Sequence, residues 1–259
     1  MHTTSSIVHW NSQSEATAVE LLASAGHLVV SPTKVGYILA ATDGQGLERK
    51  FDAKQRRRNK PGVVLCSSID QLTQLAQLND EIAELYRIHW DSDILLGCIL
   101  PWRSDALTMF PDSVALELAT DRRQTSCFVI RYGQPTENIT RQLWDSHSRL
   151  TFASSANPSG VGNRGIVTGI GNRIRDEADL IIEADDYVKS IQPDADSRHE
   201  QGVMVSFVDS DGTLVPMQGR ERSVHPTPVV IRGGLDQSAI MSNLAKIFPS
   251  WDFRHGEYY

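Results

Sequence analysis

The chain has 259 residues, of which 40% are apolar and 22% charged, and its formal net charge is -7 at pH 7. This length suits one α/β domain with a proper core, and the composition is that of a globular protein, which excludes a disordered chain. The acidic balance also excludes wholesale wrapping by nucleic acid, although one local basic site is compatible with it.

Apolar spacing and breaker residues predict the elements in chain order. They are a helix over 15–25, strands over 28–30 and 37–41, a helix through Leu47, Phe51 and Lys54 that Pro61 stops, a strand over 63–66, helices over 69–78 and 80–90, strands over 94–100, 114–118 and 127–130, a helix over 139–144, strands over 150–153, 180–182, 203–208 and 229–231, and a helix over 238–248. The polar segments 185–201 and 211–227 are predicted to be surface loops.

This irregular mixture of strands and helices predicts an α/β fold with a twisted mixed sheet and flanking helices. No repeat or composition change marks a domain boundary. We therefore expect a single domain over 1–259, with a core of about 15–235 and a C-terminal helix over 238–248.

The cysteines and the N-terminal segment indicate the cellular compartment of the protein. The three cysteines, Cys66, Cys98 and Cys127, are far apart and lie in apolar runs, so we expect buried thiols and no metal site. Residues 1–11 lack a basic segment followed by an apolar run, and no apolar window is as long as a membrane span. The expected location is the cytoplasm, without membrane contact.

One basic cluster stands out against the acidic background. Between Lys54 and Lys60, five of seven residues are cations, the others being Arg56, Arg57 and Arg58. Cations are stabilised near the C-terminal end of a helix by the helix dipole. A cluster of cations beside a strand can bind a polyanion such as a triphosphate or a nucleic-acid backbone. A solvated helix end is the competing interpretation of this cluster.

Small polar groups follow other predicted strands. Pro32-Thr33 follows the first strand, Arg131 ends another, and Ser155-Ala156-Asn157 follows the strand over 150–153. Open α/β sheets bind ligands at such strand ends, so these groups are candidate site residues. Ser31–Lys34 also matches the S-x-x-K motif of penicillin-recognising enzymes. The match is poor, because the serine of that motif begins a helix, whereas Ser31 follows a strand and precedes a proline.

Together these segments resemble the YrdC/YciO family, which contains the threonylcarbamoyl-AMP synthases and their relatives. The resemblance runs from about Gly26 to Gly234. The matching motifs are Pro32-Thr33 with Tyr37, Lys54-x-Arg56 with Lys60-Pro61, Ser155-x-Asn157-x-Ser159-Gly160, Arg131 at a strand end, Ser206-x-Val208-Asp209, and Arg232-Gly233.

The resemblance implies a large, positively lined concave cavity and a specific reaction. L-threonine and bicarbonate form an N-carboxy-threonine, whose carboxylate attacks the α-phosphate of ATP, supplied with Mg²⁺, and releases pyrophosphate. Threonylcarbamoyl-AMP is then the donor for threonylcarbamoyladenosine in transfer RNA, so transfer RNA and its modification proteins are possible partners.

The resemblance also distributes roles over the site. The phosphates are assigned to Lys54, Arg56, Arg58 and Lys60, and the nucleotide phosphate or carbamate to Ser155 and Asn157. Thr33 and Tyr37 are expected to line the substrate side. Arg131, Ser206 and Arg232 are expected to hold the remaining anionic or nucleotide groups.

Two departures from the family pattern affect the substrate side. Lys34 stands where the synthases usually carry an acid, and Asp91-Ser92-Asp93 replaces a Pro-Gly-Pro-like segment. They leave two alternatives open: a nucleotide- or RNA-binding protein without synthase activity, and a carbamoyl-adenylate enzyme with another acceptor.

Overall fold

A computed structural model describes residues 6–55, 58, 60–158, 160–193 and 198–256. Within those residues, eleven strands form one sheet in the order β1-β8-β2-β3-β7-β4-β6-β5-β9-β10-β11. The strands are β1 (Ser6–His9), β2 (Val29–Thr33), β3 (Gly36–Ala41), β4 (Val63–Leu65), β5 (Leu96–Pro101), β6 (Thr125–Ile130), β7 (Phe152–Ser155), β8 (Leu180–Glu183), β9 (Val203–Ser206), β10 (Val229–Arg232) and β11 (Asp252–Phe253).

The described chain also contains nine α-helices. They are α1 (Ser12–Ala23), α2 (Gly44–Lys54), α3 (Ile69–Leu75), α4 (Asp80–Asp91), α5 (Ser113–Ala119), α6 (Thr136–His147), α7 (Asn172–Glu177), α8 (Asp185–Ile191) and α9 (Gln237–Ile247).

The sheet is mixed, as the sequence predicted. Five neighbouring strand pairs are parallel and five antiparallel. The fold is a single-domain α/β arrangement with flanking helices, which confirms the predicted fold class. The cationic lining of a large cavity stays a prediction.

The two faces of the sheet are covered differently. Val64, Phe128, Cys98 and Val205 belong to the main apolar core, together with buried residues of α2, α3, α4, α5 and α9. Their strand neighbours alternate to the other side. These neighbours, which define the second face, include Leu65, Val129, Ile99 and Met204, and they form two smaller apolar clusters.

The β2–β3 hairpin bends its tip toward the second face. Val35 at the tip packs against the cluster of Leu65, Leu95 and Tyr132. The amide of Lys34 donates to the Tyr132 carbonyl at 2.8 Å. The hairpin tip therefore contacts residues that follow β6 and precede β5, three and four strands away in the sheet order.

The predicted strand over 114–118 is wrong, because this segment is helix α5. Asp112 caps it, its side chain accepting a hydrogen bond from the Ala115 amide at 2.7 Å. The buried positions Ala115, Leu118 and Ala119 have helical spacing. A pattern of apolar residues over only five positions was too brief to distinguish the strand period from the helix period.

Other differences concern segments with weak apolar signals. The predicted loop over 185–201 begins with α8, which buries only Val188. Helix α2 ends at Lys54, where Gln55 adopts a left-handed conformation (φ 49°), and so it stops before Pro61. The strands β1 and β11 and the helix α7 were not predicted, since each is short or mostly polar.

Candidate functional site

Lys54 joins the basic cluster to the Ser155 corner. It is the last residue of α2, and its side chain is almost fully buried. Its ammonium donates to the Ser155 carbonyl and lies 3.2 Å from Ser155 Oγ. A cation at a helix C-terminus is stabilised by the helix dipole. The structure thus brings together two of the predicted site residues that are 101 positions apart in sequence.

Asn157, two residues after Ser155, carries a buried hydrogen-bond acceptor. Its Nδ2 donates to the Val161 carbonyl and, at 3.3 Å, to the Pro158 carbonyl. Its Oδ1 is buried and has no hydrogen-bond partner among the described residues. Because a buried acceptor without a partner is costly, this oxygen is suited to receive a donor from a ligand or a bound water.

Asn163, which sequence reasoning missed, fixes the loop that follows Asn157. Its Nδ2 donates to the Tyr37 carbonyl at 2.8 Å, and its Oδ1 accepts from the Tyr37 amide at 3.3 Å. Gly36 makes room for this contact, since a Cβ there would lie 2.2 Å from Asn163 Oδ1. No motif distinguishes Asn163 from other loop asparagines.

Lys50 is a second buried lysine that sequence reasoning missed. It lies one helical turn before Lys54 and is 2% exposed. Its Nζ is 4.9 Å from the centre of the Phe51 ring, and a Cβ on Gly62 would come within 2.6 Å of it. The four-residue spacing from Lys54 was a signal that could have found it, because such positions share one helix face.

The rest of the basic cluster is exposed or lies outside the described residues. Arg58 forms an ion pair with Glu48, and its side chain is 57% exposed. Lys60 is also exposed. Arg56 lies outside the described residues, so its role stays a prediction. Lys54 is the member of the cluster whose contact with Ser155 the structure shows.

Thr33 and Tyr37 direct their hydroxyls to the protein itself. Thr33 Oγ1 donates to the Gly36 carbonyl at 2.6 Å inside the hairpin turn. The Tyr37 hydroxyl donates to Asp185 Oδ1 at 2.5 Å and accepts from the Ala184 amide at 2.9 Å. Burial, followed by the hydrogen bond to Asp185, raises the pKa of Tyr37 well above its usual range. Both hydroxyls are thus engaged within the protein, and the expected role of Thr33 and Tyr37 on the substrate side stays a prediction.

Arg131 belongs to a charged network at the hairpin tip. It stacks on Trp90, with its guanidinium carbon 3.9 Å from the ring centre, and its Nε donates to the Trp90 carbonyl at 2.8 Å. The same guanidinium lies 3.8 Å from Asp93 and from Glu137. Arg131 is thereby committed to the C-terminal end of α4, a placement that its position at a strand end did not reveal.

Ser206 and Arg232 lie together on the second face, four and five strands from β7. Ser206 pairs with Val229, and Arg232 pairs with Met204 across a bulge between Val230 and Arg232. The extra residue of the bulge turns Arg232 to the side of Met204. Arg232 Nε donates to the Gly202 carbonyl at 2.9 Å. Ser206 is thus separated from Ser155 on β7 by β4, β6 and β5 in the sheet order, and the roles of Ser206 and Arg232 stay predictions.

Among the described residues, no group of three or more His, Cys, Asp or Glu side chains could hold a metal ion. None of the helices there is both long enough and apolar enough to cross a membrane.

A family model decides the relationship. The Sua5/YciO/YrdC model, which carries the description "Telomere recombination", matches residues 22–195, more than half of the chain. The chain belongs to the Sua5/YciO/YrdC family. This confirms the resemblance that the motifs at Thr33, Lys54 and Ser155 carried. No curated protein matches the chain in sequence.

Solved structures of the family have the same fold. A hypothetical protein, smu.1377c from Streptococcus mutans UA159, is 52% identical, with a TM-score of 0.93 over 99% of this chain and 100% of that one. E. coli YciO is 17% identical, with a TM-score of 0.61 over 89% of this chain and 96% of its own. P. abyssi Sua5 complexed with L-threonine is 20% identical, with a TM-score of 0.61, and the match covers 93% of this chain but only 60% of that protein.

Proposed function

We propose that this protein forms a carbamoyl-adenylate from ATP, bicarbonate and L-threonine. The threonine amine and bicarbonate give an N-carboxylate with loss of water. One carboxylate oxygen of this group forms a bond to the α-phosphorus of ATP as the bond to pyrophosphate breaks. The products are threonylcarbamoyl-AMP and pyrophosphate, and the adenylate then serves transfer-RNA modification. The L-threonine bound to P. abyssi Sua5 supports this choice of acceptor.

The contact between Lys54 and Ser155 is the observation that carries this proposal. The contact sets the ammonium of Lys54, at the end of a helix, beside the Ser155 hydroxyl. Asn157, whose buried Oδ1 has no partner among the described residues, follows Ser155 by two positions. Charge develops on the departing pyrophosphate, and preorganised cations stabilise that charge without reorganising during the reaction. Arg56 and the Mg²⁺ that accompanies ATP would add to this stabilisation.

Positioning supplies the other part of the catalysis. Bicarbonate, the N-carboxylate and the triphosphate are all anions and repel one another in water, so the protein must hold them together. Ser155 Oγ can donate to a phosphate or carbamate oxygen, and Asn157 Oδ1 can accept from the carbamate N–H. In this scheme Lys54 and Ser155 touch the reacting groups, whereas Asn163 is a positioning residue that fixes the loop.

The test is pyrophosphate release measured with purified protein. We expect release that requires ATP, bicarbonate and L-threonine together, with threonylcarbamoyl-AMP detected by mass spectrometry. Release that is unchanged after bicarbonate is stripped from the buffer would contradict carbamoyl-adenylate formation.

A second candidate is the same chemistry with a different acceptor. The Lys34–Asp93 ion pair favours it, because Lys34 reverses a charge on the substrate side and Asp93 neutralises it from within the protein. A panel of amino and hydroxy acids, each tested for stimulated pyrophosphate release, separates this candidate from the threonine reaction. Stimulation by threonine above all other acids would dismiss it.

A protein that binds without turnover is the remaining alternative. It predicts transfer-RNA retention in a filter assay with a steep salt dependence, and no pyrophosphate from any acceptor. Turnover with any acid in the panel excludes it.

A further inference from the structure

The carboxylate of Asp93 lies against two cations at the hairpin tip. Its Oδ1 is 2.8 Å from Lys34 Nζ and 3.8 Å from Arg131 Nε. Lys34 belongs to the turn between β2 and β3, Arg131 follows β6, and Asp93 lies between α4 and β5. This one oxygen therefore marks a position at which an ammonium and a guanidinium can hold an anion together.

Both cations are also held by contacts that do not involve this carboxylate. Lys34 Nζ donates to the backbone carbonyl of Asp93 at 2.5 Å, and the Lys34 amide donates to the Tyr132 carbonyl. Arg131 stacks on Trp90 and donates to its carbonyl. The Lys34 side chain is only 7% exposed, so its ammonium has few other positions to adopt. The two cations are thus preorganised, and they keep their positions when the Asp93 side chain turns away.

The Asp93 side chain, in contrast, can leave this position by rotating into solvent. It is 66% exposed, and within the described residues its carboxylate forms ion pairs with Lys34 and Arg131. An ion pair with an exposed partner contributes little to stability, so exchanging this carboxylate for another anion costs little. Because Asp93 reaches solvent, a ligand can approach the same two cations from the same side.

The charge of the site selects the class of anion. When Asp93 turns away, Lys34 and Arg131 supply two positive charges. Glu137, whose Oε2 lies 3.8 Å from Arg131 Nη1, supplies one negative charge and is almost fully buried. The remaining single positive charge balances one carboxylate, whereas a phosphate dianion would leave an uncompensated negative charge beside buried Glu137.

We propose that Lys34 and Arg131 form a binding site for the carboxylate of a small organic acid, which Asp93 occupies in the free protein and leaves when the acid binds. Lys34 and Asp93 both belong to segments that depart from the family pattern, so this site is expected in this chain and not throughout the family. The proposal concerns binding alone, and it does not require the carbamoyl-adenylate reaction.

The test is an NMR titration of the full chain with acetate, which is little more than a carboxylate. The signals followed are the Lys34 amide and the Arg131 Nε–H, and chloride and inorganic phosphate at the same ionic strength are the control anions. Asp93→Asn removes the internal carboxylate at an exposed position. Asp91→Asn, also at an exposed position, is the matched control because it changes the net charge equally. Urea unfolding checks that each variant folds.

We expect acetate to shift both signals and to bind Asp93→Asn about fivefold more tightly than the parent protein, because it no longer competes with an internal carboxylate. Asp91→Asn should bind acetate as the parent protein does. Lys34→Met/Asp93→Asn should lose the gain, since one of the two cations is absent.

Four results would overturn the proposal. Equal acetate affinity of Asp93→Asn and the parent protein would show that Asp93 does not occupy the site. A gain that persists in Lys34→Met/Asp93→Asn would remove Lys34 from it. Phosphate binding tighter than that of acetate would contradict the class of anion, and shifts of equal size with chloride would reflect ionic screening alone. None of these results bears on the proposed reaction, which pyrophosphate release tests separately.

Discussion

Lys34 Nζ lies 2.8 Å from Asp93 Oδ1 and also donates to the Asp93 carbonyl, although the two residues are 59 positions apart. Each is a departure from the family pattern, and the structure shows that the two departures contact each other. Lys34 is almost fully buried, and Asp93 adopts a left-handed conformation (φ 53°) just after α4. The new cation at the hairpin tip is therefore neutralised by the segment that replaces the Pro-Gly-Pro-like sequence.

This pairing predicts thermodynamic coupling between Lys34 and Asp93. In a double-mutant cycle of Lys34→Met and Asp93→Asn, we expect a coupling energy of about 1 kcal/mol, because one partner is buried and the other is largely exposed. Urea unfolding of the four proteins measures it. A coupling indistinguishable from zero would show that the contact adds nothing to stability.

Lys54 should be required for turnover under the proposed function. Lys54→Ala removes the ammonium beside Ser155, and the loss of one preorganised charge is expected to lower the rate of pyrophosphate release by about 100-fold. Lys246→Ala is the matched control, because Lys246 is also in the last turn of a helix, on the exposed surface of α9. Equal rates for Lys54→Ala and the parent protein would remove Lys54 from the site.

The parts of the fold that the sequence predicted well are the apolar ones. Strands β5 and β6 contain apolar runs that are followed by or end at a proline or an arginine. The first and last residue of each strand were predicted to within two positions. Segments whose apolar signal is short, such as α5 and α8, were assigned wrongly. Helix α5 is capped by Asp112, and α8 buries only Val188, so local apolar spacing reveals neither helix.

The site was predictable to the extent that it is built from strand ends. Ser155 lies at the end of β7 as predicted, and the structure shows Lys54, at the end of helix α2, in contact with it. The engagement of Tyr37 by Asp185 across 148 positions did not, and neither did the stacking of Arg131 on Trp90. Such long-range pairings depend on how the hairpin and the loops fold over the sheet, which residue type and local spacing do not encode.

Gly36 should not tolerate a side chain. Its φ of 121° is unfavourable for other residues, and a Cβ would lie 2.2 Å from Asn163 Oδ1. We expect Gly36→Ala to lower the free energy of unfolding by about 2 to 3 kcal/mol, from backbone strain and the clash together. Gly219→Ala is the control, because Gly219 also has a positive φ but a Cβ there would meet no atom within 4 Å. This variant has backbone strain without a clash, and it should lower the free energy of unfolding by about 1 kcal/mol. Equal losses in the two variants would mean that Asn163 moves aside freely.

Asp179 should make stability depend on pH in the acid range. Burial pushes the pKa of Asp179 upward, but hydrogen bonds from Arg49 and the Leu28 amide, with the charges of Arg49 and His27, outweigh burial and hold that pKa below its usual range. A carboxylate with a lowered pKa in the folded state contributes stability above its unfolded pKa, about 3.9, and loses it as the pH falls through the folded value.

Asp179→Asn should therefore be less stable than the parent protein near pH 7, and the difference should shrink as the pH falls below about 4. Urea unfolding at a series of pH values measures this, with Asp70→Asn, at an exposed position of α3, as the control. A stability difference for Asp179→Asn that stays constant down to the acid limit would show that its charge is not what stabilises the fold.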